Sequence, residues 1–196
     1  GYEGGTAFVE VRTKQSDIRV AVAATSTHKI NGVAVQLPIT DIAEKGQVMV
    51  DVKPHLNQDE TYTFEKVVAI HSSQPWDTKD PLSAAKVAAG HAPSFQAILD
   101  ESTASWVKIW KKIDVQVEGD RLGQKLLRLH LYHLMVSFSP HHDGMDASIT
   151  ARGLHGEAYR GHIFWDELFI LPLYNAHFPG VTKAALRYRY NRLEAA

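Results

Sequence analysis

The spacing of apolar residues changes period once along this chain, and that single change limits the folds open to it. Ahead of residue 74 the apolar side chains recur at every second position. Ile18, Val20 and Val22 form one run, Val33, Val35 and Leu37 another, and Val48, Val50 and Val52 a third. Successive side chains of a strand point to opposite faces, so each run predicts an apolar row on one side of a sheet. Asn31-Gly32 lies between Ile30 and Val33 and marks a tight hairpin, and Tyr62 to His71 is rich in β-branched and aromatic residues. Residues 1–76 therefore read as part of a β-sandwich.

Gln74 to Pro81 is a turn-rich break, after which the period becomes helical. Residues 82–89 are alanine-rich and stop at Gly90, and Pro93 opens a second helix. Along it Phe95, Ile98, Leu99, Ser102, Trp106, Ile109, Trp110 and Ile113 fall on one wide stripe, which predicts packing against a large surface. The segment 77–116 is read as a helical linker. Gly119-Asp120 starts a third helix, where Leu122, Leu126, Leu127, Leu129, Leu131, Leu134 and Met135 occupy most of the circumference. That pattern predicts a place inside a packed helical assembly over 117–196. Ser137 to Thr150 loses periodicity and reads as a loop. A helix from about Glu167 is halted by Pro179-Gly180, and a last one runs from Thr182 to Leu193 with no capping signal before Ala196. The fold class is α+β, and the chain is expected to be a fragment of a larger protein.

Charge excludes several partners. The 196 residues carry a formal net charge of −1 and no block of like charges, so neither nucleic acid nor an anionic membrane is expected to bind. No apolar run approaches the roughly 20 residues of a membrane-spanning helix. There are no cysteines, which excludes disulfides, thiolate zinc sites and cysteine nucleophiles and suits a cytoplasmic protein.

The chemistry concentrates in residues 151–174, ARGLHGEAYRGHIFWDELFILPLY, where glycines, arginines, histidines and carboxylates alternate with large aromatics. A sugar site needs a flat apolar surface for the C–H face of a pyranose and acceptors for adjacent hydroxyls. Trp165 offers the first and Asp166 the second. Arg152, Arg160 and His162 can donate to other hydroxyls or brace the carboxylate, and Phe164 packs behind the pair. A tryptophan packed in the core beside an aspartate that caps a helix is the structural alternative. Glu157 and Glu167 read as structural. His141, His142, Asp143, His155 and His162 have no defined ligand spacing, so no metal site is expected.

The same segment resembles glycoside hydrolase family 65, which contains maltose, trehalose and kojibiose phosphorylases and α-glucoside hydrolases. The matching residues are ARG at 151–153, GE at 156–157, YRGHIFWD at 159–166 and the run ending in Leu171-Pro172. Similarity extends upstream to Trp106, Trp110, VEGD at 117–120 and LLRLHLYHL at 126–134. Many phosphorylases of the family read FWDTE and then an apolar pair, whereas here Asp166 runs directly into Glu167, one residue shorter.

The resemblance implies an order of β-sandwich, helical linker and (α/α)6 barrel, with this chain holding the later strands and the first barrel helices. It implies an inverting glycoside hydrolase or phosphorylase that cleaves an α-linked glucosyl disaccharide. Trp165, Asp166, Arg152, Arg160, His162 and Phe164 would contribute to the subsite for the glucosyl ring. The catalytic acid of the family is a downstream glutamate, so no catalytic residue is expected in this chain. No cofactor is expected, and inorganic phosphate is the co-substrate if the enzyme is a phosphorylase. The expected partners are a disaccharide or glucosyl substrate and the remainder of the polypeptide, or a second chain, to complete the barrel. A homodimer is compatible with this. The alternative is a noncatalytic carbohydrate-binding or structural domain.

Overall fold

The structure, a computed structural model, describes residues 1–154, 156 and 158–195. The chain forms two compact units, Gly1–Glu101 and Ser102–Ala196. In the first, strands β1 (Tyr2–Glu3), β2 (Thr6–Arg12), β3 (Arg19–Ile30) and β4 (Val33–Ala34) follow one another in an antiparallel sheet. A hairpin of β5 (Ile39–Glu44) and β6 (Gln47–Val52) comes next, and β7 (Tyr62–Ser72) then pairs with β3 along the first sheet.

The hairpin between β3 and β4 forms where the sequence places it. Ile30 pairs with Val33 across Asn31 and Gly32, whose φ values of 50° and 80° are both left-handed, as a tight two-residue turn requires. The strand beyond it is shorter than the alternation of Val33, Val35 and Leu37 suggests. After Ala34 one more bond runs from Val35 N to His28 O, short of Pro38, which has no N–H to extend a ladder.

Alternation along β3 sends its residues to two different coverings. Ala21 and Ala23 are completely buried with Ala85 and Ala89 of helix α1 (Pro81–Gly90), where small side chains on both surfaces allow close approach. Val22 and Ala24 line the opposite face with Val48, Val50 and Val52 of β6, around an open cavity of ≈ 260 Å³. That cavity is a gap between two sheets lined largely by valine, alanine and phenylalanine. Its lining among the described residues includes no carboxylate, and all of it belongs to the first unit.

Helix α2 (Phe95–Ile113) contains the boundary between the units. The second unit continues with α3 (Arg121–Ser137), α4 (Glu167–His177) and α5 (Pro179–Tyr190). Its core joins Ile113, Leu131, Met135, Phe138, Ile149, Tyr174, Phe178, Val181, Ala184 and Ala185, with Trp106, Ile109 and Trp110 packed against it. Cover within this chain is partial on two of these helices. The apolar stripe of α2 is covered only over its C-terminal half, and Phe95, Ile98 and Leu99 stay exposed. Helix α3 buries Leu131 and Met135 but exposes Leu122, Leu126 and Leu129. Only one side of each stripe meets other elements of this chain.

Asp120 caps α3 by accepting a hydrogen bond from Gly123 N at 2.9 Å. Asp120→Ala is expected to lower the unfolding free energy of the second unit by about 1 kcal/mol, measured by denaturant unfolding. No helix among the described residues is long and apolar enough to cross a membrane.

Candidate sugar-binding site

Trp165 and Asp166 form the turn that leads into α4. Leu168 N donates to Trp165 O at 3.0 Å and Phe169 N to Asp166 O at 3.1 Å, so both main-chain carbonyls belong to the first helical turn. The indole of Trp165 is 68% exposed and meets the ring of Phe169 edge-on at 5.3 Å. Within this chain the indole is therefore not enclosed as a core tryptophan would be. Although Asp166 stands at the cap position of α4, its side chain takes no capping hydrogen bond. Among the described residues, no hydrogen bond or ion pair engages its carboxylate.

The neighbouring carboxylate has the opposite environment. Glu167 is only 6% exposed, accepts from Ser148 Oγ at 2.7 Å and pairs with Arg189 Nε at 2.7 Å. Both of its oxygens are committed to structure. A second nitrogen of the same guanidinium, Nη2, donates to Phe164 O at 2.8 Å. Arg189 of α5 thus holds the start of α4 and the residue before Trp165 with one planar group.

The remaining residues expected at the site build the loop ahead of it. Tyr159, Arg160 and Gly161 have φ values of 56°, 48° and 72°, three successive left-handed residues. For Tyr159 and Arg160 that conformation costs about 1–3 kcal/mol each and persists only where the surroundings enforce it. His162 closes the turn, with its N–H donating to Tyr159 O at 2.9 Å and its Nδ1 meeting the same oxygen at 2.5 Å. The His162 ring stacks on Phe164 at 5.7 Å, while Tyr159 meets Phe164 edge-on at 5.9 Å. Phe164 is therefore the hub of an aromatic cluster next to Trp165, and Ala151 N ties the loop base to His162 O at 3.0 Å.

Arg152 and Arg160 are exposed. Among the described residues, neither they nor His162 bonds to Asp166. The arginine that bonds next to the pair is Arg189, through Glu167 and the Phe164 carbonyl. His155 and Glu157 lie outside the described residues. On the far side of the loop, Arg192 pairs with both carboxylate oxygens of Asp146 at 2.8 Å, and this guanidinium holds the Asp146 carboxyl below its ordinary range. The His142 ring lies tilted against Phe138 at 4.7 Å, and burial lowers its pKa. Ser148, Arg189 and Arg192 were not evident as site residues because each is far in sequence from its partner.

An indole face beside an unengaged carboxylate can stack a pyranose ring and accept from adjacent hydroxyls. Known proteins with this arrangement of elements were found by comparison. The N-terminal domain description of glycosyl hydrolase family 65 matches residues 1–109, and that of its central catalytic domain matches residues 128–196. The chain belongs to glycoside hydrolase family 65.

Its family 65 relatives include a trehalose 6-phosphate phosphorylase from Lactococcus lactis, 34% identical over 94% of this chain and 23% of that protein. A kojibiose phosphorylase from Halothermothrix orenii is 30% identical over 98% of this chain and 26% of its own length. An uncharacterized glycosyl hydrolase of Mycobacterium tuberculosis is 35% identical over 96% of this chain and 14% of that protein. The chain therefore spans between 14% and 26% of the length of these relatives. Among solved structures, a candidate kojibiose phosphorylase from the human microbiome matches 99% of this chain and 25% of its own, with a TM-score of 0.70 and 20% identity. That likeness concerns the fold: antiparallel sheets followed by helices.

Proposed function

We propose that this chain is part of an inverting family 65 glycoside hydrolase or phosphorylase that cleaves an α-linked glucosyl disaccharide, and that it supplies part of the glucosyl subsite. The observation that carries this reading is the exposed indole of Trp165 beside the unengaged carboxylate of Asp166, next to a Glu167 whose oxygens are both occupied. Trp165 stacks on the sugar ring and Asp166 holds its hydroxyls. Arg152, Arg160, His162 and Phe164 shape the rim. In such an inversion an acid protonates the glycosidic oxygen while phosphate or an activated water attacks the opposite face of an oxocarbenium-like carbon. The acid is assigned to a part of the protein outside this chain, and inorganic phosphate is the co-substrate if phosphorolysis is the reaction.

The architecture assigned with it is the later part of a β-sandwich over 1–76, a helical linker over 77–116 and the first helices of an (α/α)6 barrel over 117–196. Support comes from the two family matches at residues 1–109 and 128–196 and from the apolar residues left exposed on α2, α3 and α4, including Leu122, Leu126, Leu168 and Phe169. The rest of the same polypeptide, or a second chain, would cover them. A cytoplasmic location fits the absence of cysteine.

The test is to assay the complete polypeptide on trehalose, maltose and kojibiose with and without inorganic phosphate. Turnover of one of them is expected. Glucose 1-phosphate formed only with phosphate identifies phosphorolysis, and glucose formed without it identifies hydrolysis. Binding without turnover of any α-glucoside would favour the noncatalytic alternative.

A further inference from the structure

We propose that Arg189 is a positioning residue for the glucosyl subsite: by bridging the Phe164 carbonyl and the buried Glu167 carboxylate, it sets where Trp165 and Asp166 meet the sugar. The proposal rests on the subsite reading above. The two groups that bind Arg189 flank the pair, one residue before Trp165 and one after Asp166. Among the described residues, a rigid guanidinium therefore spans the two functional residues without a hydrogen bond to either side chain.

The acceptor at the centre of this arrangement is anchored from another segment. Glu167 is buried and accepts from Ser148, which is also buried, on the loop between α3 and α4. Two residues earlier on that loop, Asp146 is gripped by Arg192, one turn after Arg189. Helix α5 and the turn that follows it thus fasten the loop and the start of α4 together. The sequence departure from the family pattern falls at this point. Because Asp166 runs directly into Glu167, the braced carboxylate is the immediate neighbour of the sugar-binding one, and a shift of Glu167 is transmitted across a single peptide unit.

A guanidinium presents Nε and Nη2 as coplanar donors at a fixed separation, which matches two acceptors at 2.7 and 2.8 Å. A lysine keeps the charge but cannot reproduce that fork. Arg189→Lys should therefore leave the ion pair feasible and release the Phe164 carbonyl. Displacements near 1 Å at a reacting site lower rates by roughly a hundredfold.

The experiment is a double-mutant cycle in the complete polypeptide, using Arg189→Lys, Asp166→Asn and the pair, with kcat and KM on the best disaccharide and a melting curve for each. Arg189→Lys is expected to lower kcat/KM by roughly ten- to a hundredfold. In the Asp166→Asn background the same change should cost several-fold less than it does alone, because one of the two groups it positions no longer functions. Equal fold-losses in both backgrounds, or no loss in the first, would overturn the positioning role while leaving the subsite reading intact. An Asp166→Asn variant of full activity removes the subsite reading, and this proposal with it. If Arg189→Lys does not fold, Ser148→Ala takes its place in the cycle. The same non-additivity is expected there, and a neutral or purely multiplicative Ser148→Ala overturns the proposal.

Discussion

Asp166→Asn in the complete polypeptide is expected to lower kcat/KM for the glucoside by about 10²- to 10³-fold while leaving the melting temperature nearly unchanged. A hydrogen bond to a charged group contributes about 1.5–3 kcal/mol, and a carboxylate that holds two sugar hydroxyls forms two of them. At roughly 1.4 kcal/mol per tenfold, their partial loss accounts for that range. Trp165→Ala removes a stacking face from the same ring and is expected to cost about tenfold or more. Stability should respond very differently. The indole is 68% exposed, and the Asp166 carboxylate takes no capping hydrogen bond, so neither side chain supports the fold to a comparable degree. Substitutions at such positions usually change stability by no more than about 0.5 kcal/mol. Parallel kinetics and thermal melts separate the two effects. A large stability loss with unchanged kcat/KM would mean that the pair is structural.

The largest stability effect is expected at Tyr174. Its ring is completely buried at the centre of the second unit and meets Phe138 edge-on at 6.0 Å. Its hydroxyl donates toward Leu134 O at 2.7 Å and Phe138 O at 2.6 Å, at the C-terminal end of α3. A phenol has one proton, so the two carbonyls share it. Burial pushes the pKa of this group above its ordinary value, which keeps it a neutral donor across the physiological range. Tyr174→Ala creates a large cavity and is expected to cost about 3–5 kcal/mol, enough to unfold a marginal unit. Tyr174→Phe preserves the ring and removes only the donor. Leu134 O still accepts from Phe138 N at 3.0 Å, so the expected loss is about 1–2 kcal/mol, borne mainly by the Phe138 carbonyl. Denaturant unfolding monitored by circular dichroism measures both. Equal losses for the two variants would show that the hydroxyl, not ring packing, dominates.

Periodicity made much of the fold legible. The alternation of Val48, Val50 and Val52 places one row inward on β6, and Asn31-Gly32 forms the expected turn. What it concealed depends on tertiary contact. On β3 the valines stand out in the sequence, yet Ala21 and Ala23 are the completely buried residues, because alanine-rich α1 can approach only small side chains. Strand β2 is less legible, since Ala7 is small and Phe8 sets an apolar residue directly beside Val9, which blurs the alternation of Val9 and Val11. The helical stripes of α2 and α3 are wider than the cover this chain itself provides.

The site divides in a similar way. Trp165 and Asp166 were legible because an aromatic next to a carboxylate, in a glycine-rich segment, has few purely structural explanations. The arginines nearest in sequence, Arg152 and Arg160, were natural candidates for bracing. The residue that braces is Arg189, which pairs with Glu167 across 22 positions and becomes adjacent only when α4 and α5 pack together. Local spacing contains no trace of that pairing.

The most direct measurement is a fluorescence titration of the complete polypeptide with glucose or a nonreacting α-glucoside, compared with the same titration of Trp165→Phe. Four tryptophans occur in this chain, and only Trp165 is placed against the sugar, so the Trp165-dependent quench should disappear with the substitution and the affinity should fall. Undiminished quenching and unchanged affinity in Trp165→Phe would contradict a hexose lying on this indole.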